Sequence, residues 1–166
     1  MCGIFGILYK DGSREPDAAR LQESARRIAH RGPDATGVFS EPGIGLAHTR
    51  LSLLDLDERS DQPMWDAQRR YCVVFNGEIY NTDDLQRKYL SDIQLISESD
   101  TEILLHLYQK IGIENLVAAV DGMFAIVIYD GRTRSTVIAR DRFGIKPLYY
   151  AHTPRGLAIA SEIKPL

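Results

Sequence analysis

The chain has 166 residues, 44% of them hydrophobic and 26% charged, which suffices for one domain with a real core and is short for two independent ones. A net charge of −3 and a pI near 5.8, with arginines scattered among carboxylates, exclude the basic footprint of a nucleic-acid binder. No apolar run nears the roughly 18–20 residues that cross a bilayer, no basic region precedes an apolar core at the start, and two cysteines make no disulfide framework, so a cytoplasmic protein with no membrane partner is expected.

In chain order, Ile4–Leu8 reads as an apolar strand directly behind Met1-Cys2-Gly3. Gly3 and Gly6 leave room for a close backbone or ligand approach along it. Asp11-Gly12 is a turn, and Pro16 is expected in the first turn of a helix whose Ala18, Leu21, Ala25, Ile28 and Ala29 recur at helical spacing. His30-Arg31-Gly32-Pro33-Asp34 ends that helix, and a polar loop is expected as far as Gly37 before a short strand at Val38-Phe39. Ile44–His48 is a strand leading to Thr49-Arg50-Leu51-Ser52-Leu53-Leu54, and Asp61–Trp65 is loop-like. Tyr71–Phe75 is rich in strand formers, with Cys72 as a packing residue, and is expected to stop at Asn76-Gly77, a dipeptide that readily takes positive φ.

Thr82-Asp83-Asp84 opens an amphipathic helix to about Leu90, and Ile93–Ile96 is a further candidate strand. Ser99 and Glu102 have the spacing of a capping box ahead of a helix over Ile103–Lys110, which places Asp100 at the helix mouth. His106, one turn beyond Glu102, is expected in a solvated pair with it. The last third reads as strands Met123–Tyr129, Thr136–Arg140, Leu148–Ala151 and Leu157–Ala160 joined by turns, with Tyr149-Tyr150 packing on a sheet. Repeated hairpins with helices in the first two thirds give an α+β class with antiparallel sheets that stack and are covered outside by helices.

The start of the chain is where chemistry is concentrated. If Met1 is removed, which a small second residue permits, Cys2 carries a nucleophile and a base in one residue, since an α-amino group titrates near 7.7–8.0 and a thiol near 8.5. The competing reading is a small core cysteine behind a retained Met1. A terminal thiol is useful where donors can stabilise an oxyanion, and Asn76-Gly77 offers a side-chain amide and a backbone N–H. Arg50 can hold a carboxylate bidentately, and Glu78 and Asp100 can hold an ammonium group, a set that would grip an amino acid by its backbone charges. Taken singly, Arg50 also reads as a surface ion pair, Asn76-Gly77 as a type I′ turn, Glu78 as a strand-edge charge and Asp100 as a helix-dipole partner. The four histidines are dispersed and Cys72 has no CxxC partner, so no metal site is expected, and no GxxxxGK[ST] phosphate loop is present.

These stretches, together with Ala47–Ser52, Gln62-Pro63-Met64, Asn76–Asn81, Ser99–Glu102, Asp121–Ala125, Arg140–Gly144, Pro147–Tyr150 and Ala160–Lys164, make the chain similar over essentially its whole length to the glutaminase domain of class II glutamine amidotransferases. Among these it most resembles that of glutamine-dependent asparagine synthetases. The resemblance implies an N-terminal-nucleophile hydrolase fold, a four-layer αββα sandwich, over residues 1–166 as a single domain. It also implies attack of Cys2 on the carboxamide of glutamine, an oxyanion hole at Asn76 and Gly77, α-carboxylate binding by Arg50, α-amino binding by Glu78 and Asp100, and a pocket lined by Leu51–Leu53. The segment His30–Gly37 resembles the family's mobile segment over glutamine. In the family a second domain consumes the ammonia, with ATP and Mg bound through a Ser-Gly-Gly-Leu-Asp-Ser-type loop that does not occur here. The expected partners are therefore glutamine and a synthetase domain or subunit, with no cofactor in this domain and a homodimer left open. Other readings are an amide hydrolase acting on acylated amines, and a silent module that senses glutamine or docks a synthetase.

Overall fold

The computed structural model describes residues 1–52 and 57–166, and these form two compact units that the chain enters and leaves more than once. The first unit comprises residues 1–52, 61–63 and 147–166. Its sheet has the order β2-β3-β1-β9-β8, all antiparallel, built from β1 (Gly3–Tyr9), β2 (Ala35–Glu41), β3 (Ile44–Arg50), β8 (Tyr149–Thr153) and β9 (Gly156–Ala160). The N-terminal strand thus sits at the centre, between Ile44–Thr49 of β3 and Gly156–Ala160 of β9. Gly3 is already in register with Thr49 and β9 joins from Phe5 on, which ties down the start of the strand.

Helix α1 (Ala18–Arg27) begins at Asp17, whose carboxylate accepts from the Ala19 N–H at 2.9 Å, and ends with Arg26 and Arg27 where the helix dipole favours cations. Pro16 precedes the cap instead of occupying the first turn, because the Asp17 side chain takes the capping role. Leu21, Ala25 and Ile28 bury against Phe5, Ala47 and Ala160, each large aliphatic side chain contributing about 1.5–3 kcal/mol. The expected loop to Gly37 is shorter than that. Ala29–Arg31 form a 3-10 turn and Ala35–Gly37 already pair with His48–Arg50, so only Gly32–Asp34 connect.

The second unit comprises residues 57–60 and 64–146 among those described. Its antiparallel sheet has the order β4-β5-β6-β7, from β4 (Met64–Trp65), β5 (Tyr71–Ile79), β6 (Gly122–Asp130) and β7 (Ser135–Arg140). Helices α2 (Thr82–Tyr89) and α3 (Asp100–Ala119) cover one face, with Leu85, Leu104, Leu105, Leu107 and Leu116 packed in one cluster with Val73, Phe75, Phe124, Ile126 and Ile128. Since side chains alternate along a strand, Cys72, Val74, Asn76 and Glu78 point to the opposite face.

Four expectations need correction here. Strand β5 does not stop at Asn76-Gly77 but runs on to Ile79, because Gly122–Ala125 of β6 pair with Asn76–Ile79 and this ladder overrides local turn preference. Ile93–Ile96 is not a strand: Ile96 is 73% exposed, and its N–H donates to the Glu102 carboxylate instead of a ladder partner. Helix α3 continues past Lys110 to Ala119, kinked at Gly112, whose φ of 71° breaks the helical path. Tyr149 and Tyr150 pair through their backbones with β9 while their rings are exposed, so they do not pack as core.

Candidate active site

In the first unit the start of the chain is held from several directions. Cys2 is half-buried, and its thiol donates weakly to the Leu51 carbonyl, with Sγ 3.8 Å from the oxygen. Its own carbonyl accepts from Arg31 Nε at 3.0 Å. Beyond Gly3, Ile4 N–H donates to Ser161 Oγ at 2.9 Å and Ile4 C=O accepts from Ser161 N–H at 2.9 Å. Gly3 has no room for a side chain, since a Cβ there would lie 2.5 Å from Thr49 Oγ1. Met1 is 55% exposed, so the bond before Cys2 sits at the surface.

The stretch opposite Cys2 is fastened by Asp34. Its N–H donates to the Arg50 carbonyl at 3.0 Å, and its carboxylate accepts from Ser52 N–H at 2.7 Å, which fixes the backbone on both sides of Leu51. Gly32 approaches this stretch so closely that a Cβ would sit 2.3 Å from the Thr49 carbonyl oxygen, the physical reason for glycine at that point of the His30–Asp34 motif. Arg50, at the end of β3, is buried, and its Nη1 donates to Asp61 Oδ1 at 2.6 Å. Its surface-pair reading is thereby corrected, because a guanidinium taken out of water has to be met by anions. Leu53 lies outside the described residues.

In the second unit, Asn76 is 1% exposed, and its Nδ2 has no hydrogen-bond acceptor among the described residues. Leaving a buried amide donor unmet costs about 1–3 kcal/mol, so such an atom calls for a ligand or water. Gly77 is next to it. The Tyr80 N–H bond to Asp121 O sets the ladder phase, in which even-numbered residues of β5 bond to β6 and the N–H of Gly77 points to the other edge. There β4 pairs only with Cys72 and Val73, so Gly77 N–H lies beyond its end. A Cβ at Gly77 would lie 2.3 Å from Met123 O and 2.7 Å from the Phe75 ring.

Ile79 N–H, on the same edge as Gly77, donates to Asp100 Oδ2 at 3.3 Å. Burial, opposed by the Ile79 and Thr101 N–H groups and reinforced by the nearby negative charge of Glu78, pushes the Asp100 carboxyl up to about 6. A carboxyl raised by burial beside another negative charge is a candidate for binding a cationic group. Asp100 is the first residue of α3, and Ser99 caps the helix by accepting from Thr101 N–H at 3.2 Å. The Glu102 half of the capping box goes elsewhere: its carboxylate accepts from Ile96 N–H, Ser97 N–H and Ser97 Oγ. Burial would raise that carboxyl, but these donors together hold it low. Its pairing with His106, at 3.6 Å, joins a buried carboxylate to a half-buried ring instead of lying in solvent.

Sequence reasoning named Cys2, Arg50, Leu51, Leu53, Asn76, Gly77, Glu78 and Asp100. It gave no individual role to Arg31, Asp34, Asp61, Ser161 or Glu162, whose contacts with the Cys2 and Arg50 segments carry no local signal. Among the described residues no group of His, Cys, Asp and Glu side chains could hold a metal ion, and no helix is long and apolar enough to cross a membrane.

The chain belongs to the glutamine amidotransferase domain family, whose model matches residues 1–166. Its relatives include the asparagine synthetase [glutamine-hydrolyzing] of Triphysaria versicolor, 39% identical over 167 residues, and asparagine synthetase B [glutamine-hydrolyzing] of Escherichia coli K12, 39% identical over 171 residues. Both matches cover the whole of this chain, which spans only 28% and 30% of the respective relatives. The fold is shared with the glutamine phosphoribosylpyrophosphate amidotransferase of B. subtilis, with a TM-score of 0.77 over 99% of this chain and 42% of that one, at 19% identity. The α+β class with two antiparallel sheets is thus borne out.

Proposed function

We propose that this chain hydrolyses the side-chain amide of glutamine and supplies the ammonia to an ATP-dependent synthetase part, as in an asparagine synthetase. The observation that carries this reading is the buried Nδ2 of Asn76, a donor with no acceptor among the described residues, on a strand whose next N–H faces away from its β6 ladder partner. Two donors side by side suit an oxyanion, whose charge makes each bond stronger than one to a ground-state carbonyl.

In the proposed reaction Met1 is removed and the freed α-amino group of Cys2 takes the thiol proton. Sγ then attacks the carboxamide carbon of glutamine, and Asn76 Nδ2 and Gly77 N–H stabilise the resulting oxyanion. The intermediate collapses with proton transfer from the α-ammonium group to the departing nitrogen, which releases ammonia and leaves a γ-glutamyl thioester. Water, deprotonated by the same amine, cleaves the thioester to glutamate and restores the thiol. Arg50 binds the α-carboxylate of glutamine, with the backbone at Leu51 beside it, and Glu78 and Asp100 bind its α-ammonium group. An ammonium between those carboxylates supplies the charge that the raised Asp100 carboxyl lacks. No cofactor is needed for these steps; ATP and Mg belong to the synthetase part, and the identity of the relatives makes aspartate the proposed acceptor.

Incubation of the mature protein with glutamine should yield glutamate and ammonia in equal amounts. Cys2→Ala should abolish turnover and keep glutamine binding. Intact mass should be lower by one methionine in active samples. Full activity in Cys2→Ala, or in protein that retains Met1, would refute the reading.

A further inference from the structure

Some 130 residues after Arg31, the chain returns to the nucleophile. Arg31 is held by two bonds, one from Nε to the Cys2 carbonyl at 3.0 Å and one from Nη1 to Glu162 Oε1 at 3.2 Å. Its side chain is 8% exposed, so Glu162 is the carboxylate that meets this buried charge. His30 Nε2 lies 2.7 Å from the same Glu162 oxygen. Burial would raise the Glu162 carboxyl, but its bonds to His30 and Arg31 outweigh that and hold it below the usual carboxylate range. Ser161, one residue earlier, exchanges two bonds with Ile4. The pair Ser161-Glu162 therefore grips the residues on both sides of Gly3.

We infer that Glu162 is a positioning residue for the nucleophile, acting through the Arg31 guanidinium on the carbonyl of Cys2. Gly3 is set by its pairing with Thr49. With the carbonyl of residue 2 also fixed, the Cys2 backbone can no longer swing about its bond to Gly3, and only the thiol rotamer and the terminal amine remain to be aimed. Glu162 touches neither thiol nor substrate. Its effect is on orientation: without it the guanidinium loses the carboxylate that aligns it and turns away from the carbonyl. A nucleophile misplaced by about an ångström can lose up to a hundredfold in rate.

This inference rests on the proposed glutaminase reaction for its kinetic readout, so a second, chemical readout is added. On the mature protein, kcat and KM for glutamine, the rate of Cys2 alkylation by iodoacetamide, and the thermal midpoint are measured for wild type, Glu162→Ala and Glu162→Gln. Cys72 is fully buried, and peptide mass separates its label from that of Cys2. Glu162→Ala should lower kcat about tenfold, within the range for a misplaced group, and change the alkylation rate of Cys2 severalfold, with KM within about twofold. Glu162→Gln keeps an oxygen acceptor for Arg31 and should recover part of kcat at the same thermal midpoint as Glu162→Ala. Wild-type kcat and alkylation in Glu162→Ala would overturn the inference. So would equal losses in the two variants that follow only the fraction of folded protein. A wild type without glutaminase activity would instead refute the proposed reaction, and the alkylation rates would still decide the role of Glu162.

Discussion

Replacing Asp100 by asparagine should make the fold more stable and the site worse. Burial and the Glu78 charge lift the Asp100 carboxyl from 3.8 to about 6. At about 1.4 kcal/mol for each tenfold change in proton affinity, keeping it ionised at pH 8 destabilises the folded state by about 3 kcal/mol. The folded chain holds this proton more tightly than the unfolded one, so the penalty is absent below about pH 3.8, grows between there and pH 6, and is complete above. Asparagine keeps an oxygen to accept from Ile79 N–H and carries no charge. Urea unfolding followed by circular dichroism should show Asp100→Asn more stable than wild type by about 3 kcal/mol at pH 8 and by about half that at pH 5. Calorimetric titration with glutamine, in a Cys2→Ala background that prevents turnover, should show a loss of affinity of roughly tenfold or more, as for one charged hydrogen bond of about 1.5–3 kcal/mol. Binding to the Asp100 protein should itself weaken as pH falls below about 6. A variant no more stable than wild type at pH 8, or a difference that does not change with pH, would refute the electrostatic argument. Unchanged glutamine affinity would refute the ammonium site.

Other substitutions test the remaining roles. Arg50→Ala should raise KM for glutamine roughly ten- to hundredfold, because a charged contact worth about 1.5–3 kcal/mol is lost while Asp61, partly exposed, can be rehydrated; comparable kcat/KM in steady-state assays would count against it. Asn76→Ala should lower kcat by about 100- to 1,000-fold with a small change in KM, the usual cost of one oxyanion donor, and pre-steady-state measurement of ammonia release would place the loss in thioester formation. Gly77→Ala would drive a methyl group into Met123 O and the Phe75 ring, neither of which can yield without shifting the ladder. A loss of stability of about 1–3 kcal/mol in urea unfolding is expected, and a midpoint equal to wild type would show that β5 has room there.

The candidate site was legible because it is written in short runs: Cys2-Gly3 at the start, Arg50 after an apolar strand, Asn76-Gly77-Glu78, and Ser99-Asp100 at a helix mouth. Strands β1, β3, β5 and β6 were visible for the same reason, since apolar residues crowd at strand spacing within a few positions. Errors fell where distant pairing outvoted local preference. Asn76-Gly77 looks like a turn but is held in strand by Ala125 and Phe124 of β6, far along the chain. Ile93–Ile96 has strand-forming residues but finds no partner strand among the described residues.

From sequence alone come the kinds of group available, a thiol, a guanidinium, a side-chain amide and two acids, and the class of fold that apolar periodicity permits. Tertiary structure alone decides how those groups are held: Asp34 on either side of Leu51, Asp61 on Arg50, and Glu162 and Ser161 on the flanks of Cys2. Periodicity and propensity are properties of neighbours along the chain, whereas a hydrogen bond between residues 31 and 162 exists only after the sheet has brought them together.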